Sequence, residues 1–179
     1  MINRVWKAGV LSILLTAACH AQADQLCKTG HIATTAPPSR YQQKEDSTVV
    51  DTKTGLMWRT CQEGVAGKSC GEGAPLMLTW AEALAYVPTF NREGGFAGYR
   101  DWRLPNIREL SSLIEPQCVA PAINLTVFPN TAPVDVWSSS PSRFHSHYSW
   151  LVDFETGAFT YGERARPKAI HLVRDRLVR

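Results

Sequence analysis

The pattern of apolar and polar positions predicts a β-hairpin close to residue 50. Residues 48–50 and 56–59 are two short apolar runs, and the five residues between them, Asp-Thr-Lys-Thr-Gly, have the composition of a turn. Gly55 is placed to adopt a positive φ at the end of that turn, because a residue without a Cβ does so at no steric cost. We therefore expect two adjacent antiparallel strands here.

A first helix is predicted over residues 80–87. Thr79 and Glu82 form a capping box, in which each side chain accepts a hydrogen bond from the free backbone N–H of the other residue. Pro88 is expected to end this helix, since proline disfavours helical backbone in the residue before it. The apolar side is predicted to comprise Trp80, Ala81, Leu84 and Ala85.

A second helix is predicted to start near Asn106 and to end at Pro116. Its apolar side is predicted to comprise Ile107, Leu110, Leu113 and Ile114. The segment from residue 116 to residue 133 contains four prolines and no helical period, so it is expected to be a long loop.

The last part of the chain alternates in a way that is typical of strands. We predict strands over residues 136–139, 149–154, 158–161 and 169–174, with a tight turn at residues 155–157. Two short helices, small antiparallel sheets and a long loop indicate a single α+β domain.

Residues 1–23 have the pattern of a signal peptide. Two cations precede an apolar run that is too short to span a bilayer, and Ala21 and Ala23 occupy the positions that a signal peptidase reads. The alternative is a lipoprotein signal in which Cys19 becomes the acylated first residue. We therefore expect a bacterial protein that is periplasmic, outer-membrane-attached or secreted, with membrane attachment only if Cys19 is lipidated.

Removal of residues 1–23 leaves 156 residues, which suffice for one domain with a hydrophobic core. Residues 24–47 are polar and are predicted to form an extended N-terminal arm, followed by the domain over residues 48–179. Loss of Arg4 and Lys7 reduces the net charge from +3 to +1 (3 − 2). That balance argues against nucleic acid as a partner.

The four remaining cysteines, Cys27, Cys61, Cys70 and Cys118, predict two disulfides, because an exported chain folds in an oxidising compartment. Three pairings are possible in principle. The loop between Cys61 and Cys70 is rich in small residues and brings those two together easily, which leaves Cys27 for Cys118.

Seven short motifs occur in order between residues 48 and 174. They are Asp51-x-x-Thr54-Gly55-Leu56-Met57-Trp58, Thr79-Trp80-x-x-Ala83-Leu84, Gly98-Tyr99-x-Asp101-Trp102-Arg103-Leu104-Pro105, Glu109-Leu110-x-Ser112-Leu113, Trp137-Ser138-Ser139, Asp153-Phe154-x-x-Gly157 and a terminal strand ending in Val173-Arg174. As an ordered set, they resemble the bacterial family named after the C-terminal domain of the collagen-like adhesin Lcl. The resemblance implies a C-type-lectin-like fold and a surface or exported binding module. In the adhesin, this domain contributes to binding sulfated polysaccharides.

The best candidate binding residues are the cations of the segment 164–168. Arg164, Arg166 and Lys168 suit sulfate or carboxylate groups, since a guanidinium donates two parallel hydrogen bonds to either. Arg143 and His145 extend this patch if the loops converge. The expected partner is a sulfated or acidic polysaccharide. The alternative interpretation is a solvated basic edge that discourages strand-to-strand aggregation.

Other polar and aromatic features have structural explanations that we favour. The tryptophans are expected in the core rather than on a sugar-stacking surface. Glu115-Pro116-Gln117 resembles a calcium-ligating signature of C-type lectins, but a helix end followed by proline explains it as well. His145 and His147 would face one way on a strand and could bind a metal with Asp135 or Asp153, although a polar loop is the simpler reading.

The sequence contains no nucleophile elbow, phosphate-binding loop or zinc-protease motif. We therefore expect a non-catalytic protein without a cofactor or a metal. A second possibility is a structural or accessory protein of the envelope or of a pilus, whose loops contact a protein partner.

Overall fold

The computed structural model describes residues 24–175; the predicted signal peptide, Cys19 and the last four residues lie outside this range. The strands are β1 (Leu26–Cys27), β2 (Tyr41–Gln43), β3 (Thr48–Asp51), β4 (Leu56–Arg59), β5 (Val65–Ala66), β6 (Glu72–Gly73), β7 (Cys118–Val119), β8 (Asp135–Pro141), β9 (Tyr148–Asp153), β10 (Ala158–Glu163) and β11 (Val173–Asp175). The helices are α1 (Trp80–Arg92) and α2 (Ile107–Ser111), with a 3-10 turn at Pro38–Arg40. Neither described helix is long and apolar enough to cross a membrane.

Two antiparallel sheets organise the domain. One has the order β11-β4-β3-β2 and the other has the order β10-β9-β8, while β1 pairs with β7 and β5 pairs with β6. The hairpins predicted near residue 50 and at residues 155–157 are confirmed as β3-β4 and β9-β10. The last predicted strand is shorter than expected, because β11 begins only at Val173 and Ala169 forms an isolated bridge to Val136. The α+β class is confirmed.

Both hairpins close with the same five-residue turn. The Asp51 carboxylate accepts hydrogen bonds from Lys53 N (2.9 Å) and from the Thr54 hydroxyl (2.7 Å), and Gly55 N donates to the Asp51 carbonyl at a φ of +74°. The segment 153–157, Asp-Phe-Glu-Thr-Gly, repeats these three contacts with its own residues. The pattern Asp-x-x-Thr-Gly therefore specifies the turn at each place, since side-chain acceptors replace the missing strand partners.

Helix α1 does not end at Pro88, and that prediction is wrong. The capping box of Thr79 and Glu82 is present, but the helix continues to Arg92. Pro88 and Leu84 are both exposed, so the hydrogen bond that proline cannot donate to the Leu84 carbonyl is lost on the solvent-facing side of the helix.

The buried side of α1 also differs from the prediction. Ala81, Leu84 and Ala85 are exposed, whereas Ala83 is fully buried and Phe90 packs against the same core cluster. The buried face of α1 consists instead of residues 80, 83, 87 and 90, which have helical spacing and pack on the neighbouring core cluster.

Helix α2 begins as predicted and ends early. Asn106 and Glu109 form a second capping box, and Leu110 and Leu113 are fully buried. The helix stops at Ser111, and turns carry the chain onward to Pro116.

The four-stranded sheet is buried on both sides. The cross-strand pair Val49 and Trp58 faces a core that includes α2, β9 and the loop after β7. The next pair, Val50 and Met57, faces a second core that includes α1 and the segment around Trp102. Such two-sided burial explains why neighbouring residues are both apolar, as in Val49-Val50 of β3 and Leu56-Met57-Trp58 of β4, rather than alternating with polar ones.

The segment 24–47, predicted as an extended arm, lies against the domain. It supplies β2 to the large sheet, and the buried Arg40 guanidinium forms a two-point pair with the buried Asp51 carboxylate, with Nε to Oδ1 at 2.7 Å. The disulfide of Cys27 with Cys118 ties the start of this segment to β7. The second disulfide joins residues 61 and 70, so both predicted pairings are confirmed.

Candidate binding surface

Arg164, the first of the predicted binding cations, makes structural contacts with β9 and α1. Its Nε donates to the Ser149 hydroxyl (2.9 Å) and to the Tyr148 carbonyl (3.2 Å). Its guanidinium lies over the Trp80 ring, 4.2 Å from the ring centroid, where a cation is attracted by the π-electrons. These contacts fix the position of the Arg164 side chain.

Lys168 and Arg166 differ in how freely they face solvent. The Lys168 amine donates to the Asp135 carboxylate at 2.5 Å, and only 14% of the lysine side chain is exposed. Arg166 approaches Glu163 at 3.4 Å, and 77% of its side chain is exposed. Of the three cations in this run, Arg166 is the one that is open to a ligand.

The basic run meets the loop between β8 and β9. The Arg164 N–H donates to the His147 carbonyl at 2.8 Å, which fixes the end of β10 against that loop. Arg143, His145 and His147 are all exposed in the loop. The start of the basic run therefore lies beside the end of this loop.

A cluster of aromatic rings covers one face of the β9-β10 hairpin. Trp150 and Tyr161 are directly opposite each other, with ring centroids 4.3 Å apart, and Phe159 lies 6.4 Å from Trp150. Phe159 and Tyr161 are 61% and 40% exposed. The His145 ring lies 5.8 Å from Tyr148 and 6.5 Å from Tyr161, so the loop reaches the end of this cluster. We call the rings of Tyr148, Trp150, Phe159 and Tyr161 the aromatic face.

The predicted site residues are divided between two faces of the hairpin. Side chains alternate along a strand, so Ser149 and Gly162 point away from the aromatic face. Arg164 bonds Ser149, and a Cβ at Gly162 would lie 2.5 Å from the Lys168 side chain. Arg164 and Lys168 therefore belong to the inner face, while His145 belongs to the outer one.

The expectation that tryptophans fill the core is confirmed for three of them. Trp58, Trp102 and Trp137 are at most 1% exposed. Trp150 is different, because it is half-buried among exposed rings. The aromatic face was missed from the sequence, although the alternation of aromatics at 148 and 150 and again at 159 and 161 is visible there once the hairpin is assumed.

Glu115 has a structural role. Its buried carboxylate accepts hydrogen bonds from the Thr34 hydroxyl (2.6 Å) and from Ala36 N (2.9 Å), which fastens the N-terminal segment. Burial acts to raise the pKa of Glu115, but these hydrogen bonds outweigh it and hold the pKa below its ordinary value. The Glu-Pro-Gln segment is thus explained without a calcium ion.

Within residues 24–175, no three His, Cys, Asp or Glu side chains are grouped closely enough to hold a metal ion. The possible set of His145 and His147 with Asp135 or Asp153 is therefore not assembled. Asp135 is engaged by Lys168, and Asp153 accepts the hydrogen bonds of its own turn.

Comparison with known proteins identifies a family. The sequence profile of the Lcl C-terminal domain family matches residues 47–174, which span both large sheets except β2, and both helices. No curated protein matches the chain.

Proposed function

The chain belongs to the Lcl C-terminal domain family, and we propose that it is an exported, non-catalytic binding module that recognises an anionic glycan or a similar component of the cell surface. The observation that carries this proposal is the hydrogen bond from Arg164 N to the His147 carbonyl. It brings the exposed Arg166 and the exposed loop with Arg143 and His145 to one end of the β9-β10 hairpin. Exposed guanidinium groups favour sulfate and carboxylate as ligands.

The disulfides support export. Two disulfides are compatible with an extracellular or periplasmic protein, because such bonds persist in oxidising compartments. The signal peptide and the alternative of lipidation at Cys19 are part of the proposal.

A second candidate is an accessory protein of the envelope or of a pilus. The observation in its favour is Phe144, which is 81% exposed in the β8-β9 loop. Phenylalanine is enriched at protein-protein contacts relative to the rest of a protein surface. Such a contact survives high salt, whereas binding through surface cations is weakened by screening.

The test is retention of the purified, oxidised protein on immobilised heparin across a salt gradient. We expect elution above physiological salt, about 0.15 M. The variant Arg143→Ala/Arg166→Ala should elute much earlier, because it removes the open cations and leaves the structural pairs of Arg164 and Lys168 intact.

The matched control is Lys44→Ala/Lys53→Ala, which removes the same charge from exposed positions on and after the β2-β3 hairpin. An equal loss in the control would show that retention depends on net charge alone. Absence of retention in the unaltered protein would overturn the proposal, and salt-tolerant association through Phe144 would favour the protein partner.

A further inference from the structure

We propose that the aromatic face is a stacking platform for the sugar rings of an acidic polysaccharide, so that this protein recognises pyranose rings as well as charge. The inference rests on the proposed function and deepens it. The cations bind the anionic groups of the ligand, and the aromatic face would bind its sugar rings. It concerns Trp150, Phe159 and Tyr161, none of which belongs to the predicted basic patch.

The rings form a continuous apolar surface, although they are tilted against one another: the planes of Trp150 and Tyr161 meet at 55° and those of Trp150 and Phe159 at 42°, so each ring can stack on a different sugar of a chain. Trp150 lies across from Tyr161 at 4.3 Å, and Phe159 and Tyr161 follow each other on the same side of β10. Phe159 is 61% exposed and Tyr161 is 40% exposed, whereas Trp150 is half-buried. Aromatic side chains present a large rigid surface together with a polar edge, which matches a sugar ring with C–H groups on its face and hydroxyls at its rim.

The charges around the platform indicate an acidic ligand. His145 contacts the platform at Tyr161, and Arg143, two residues earlier in the same loop, carries a permanent positive charge. The acid on this face, Glu163, is placed between the Tyr148 hydroxyl (3.5 Å) and the Arg166 guanidinium (3.4 Å), so its charge is offset. Cations beside stacking rings complement a chain in which sugar rings carry sulfate or carboxylate groups.

This arrangement makes a prediction that a simple cation patch does not make. A polyanion without rings meets only the cations, whereas an acidic polysaccharide also stacks on Trp150 and Tyr161. The protein should therefore prefer ring-containing polyanions over ringless ones that have the same density of charge.

The experiment is competition for heparin-bound protein by four soluble polyanions at equal charge concentration. Polygalacturonate and polyglutamate carry one carboxylate per residue, with and without a sugar ring, and heparin and polyphosphate form a second, more highly charged pair with and without rings. We expect the two polysaccharides to compete about tenfold better, the equivalent of one well-placed aromatic contact. In Trp150→Ala/Tyr161→Ala the advantage should vanish while competition by polyphosphate stays unchanged.

Two further variants keep the result interpretable if folding is disturbed. Trp150→Phe retains a ring and should retain most of the preference. Leu84→Ala removes an exposed apolar side chain from α1 and should change nothing. Near-ultraviolet circular dichroism then reports whether each variant is folded.

The outcomes separate this inference from the proposed function. If heparin is retained through Arg143 and Arg166 but the double aromatic variant keeps the full preference, or if no preference exists, the stacking platform is wrong and the cation site stands. If the unaltered protein binds no polysaccharide, both proposals fall.

Discussion

The Asp101 carboxylate and the Arg174 guanidinium form a two-point pair, with oxygen-nitrogen distances of 2.7 and 2.9 Å. Arg174 is 3% exposed and also lies over the Tyr99 ring, 3.9 Å from its centroid. The hydrogen bonds from Arg174 hold the pKa of Asp101 below its ordinary value. This pair attaches the motif at residues 98–105 to β11. Asp101 and Tyr99 of that motif therefore have a structural role.

Substitution of Asp101 by Asn should destabilise the protein, because Arg174 would remain buried without its counter-charge. We expect a loss of about 1–2 kcal/mol in the free energy of unfolding, less than for a fully buried pair because the Asp101 side chain is 51% exposed. Urea titration followed by tryptophan fluorescence measures this loss.

The control is Asp175→Asn, whose carboxylate contacts Arg103 but is 72% exposed. An exposed pair contributes about 0–1 kcal/mol, so this variant should be nearly neutral. Equal effects of the two substitutions would contradict the structural role given to the Asp101 pair.

Local features of this fold were predictable, and features set by distant contacts were not. The hairpin at Gly55 and the capping box at Thr79 depend on residues within five positions of each other, so their patterns are readable. The extension of α1 past Pro88 is supported by Asn91. Its side-chain amide donates a hydrogen bond to the Trp102 carbonyl and accepts one from Trp102 N. The sequence around Pro88 does not predict this contact, because Trp102 lies outside the helix.

In the candidate site, too, local features were predictable and features set by distant contacts were not. The composition of the segment 164–168 indicates its cations, but the contacts of Arg164 with Trp80 and Ser149 depend on tertiary packing. The platform of Trp150 and Tyr161 requires the register of β9 with β10, which sequence spacing alone does not determine.

His171 should make stability depend on pH. It is fully buried, its Nε2 lies 2.7 Å from the Arg59 carbonyl, and burial lowers its pKa to about 4. The unfolded chain, with the ordinary pKa near 6.5, binds a proton more readily than the folded one. This contribution to stability is therefore complete above about pH 6.5 and is lost as the pH falls toward 4, by on the order of 3 kcal/mol.

The variant His171→Gln keeps an N–H for the Arg59 carbonyl and removes the titration. We expect its unfolding free energy to vary less between pH 7 and pH 4.5 than that of the unaltered protein. The exposed His31 changed to Gln serves as the control and should keep the original slope. Identical slopes for all three proteins would rule out His171 as the source.

The two turn glycines should differ in their tolerance of alanine. Gly55 has a φ of +74° and open space at its Cβ position, so Gly55→Ala costs only the left-handed conformation, about 1–2 kcal/mol. Gly157 has a φ of +80°, and a Cβ there would lie 3.0 Å from Ala122 and 3.1 Å from Ile114. Crowding adds about 1–3 kcal/mol for Gly157→Ala. Thermal unfolding of the two variants compares them, and a larger loss at Gly55 would contradict this account.

The two disulfides should contribute unequally to stability. Cys27 and Cys118 are 91 residues apart, whereas Cys61 and Cys70 are 9 apart. A longer closed loop restricts the unfolded chain more, so the entropy model gives about 4–5 kcal/mol for the first bond and about 2.5 kcal/mol for the second. Paired replacement by alanine, Cys27→Ala/Cys118→Ala against Cys61→Ala/Cys70→Ala, tests this difference by urea titration. We expect the first pair to cost more because it also releases β1 from β7. A greater loss from the second pair would mean that the packing of the 61–70 loop outweighs the chain entropy.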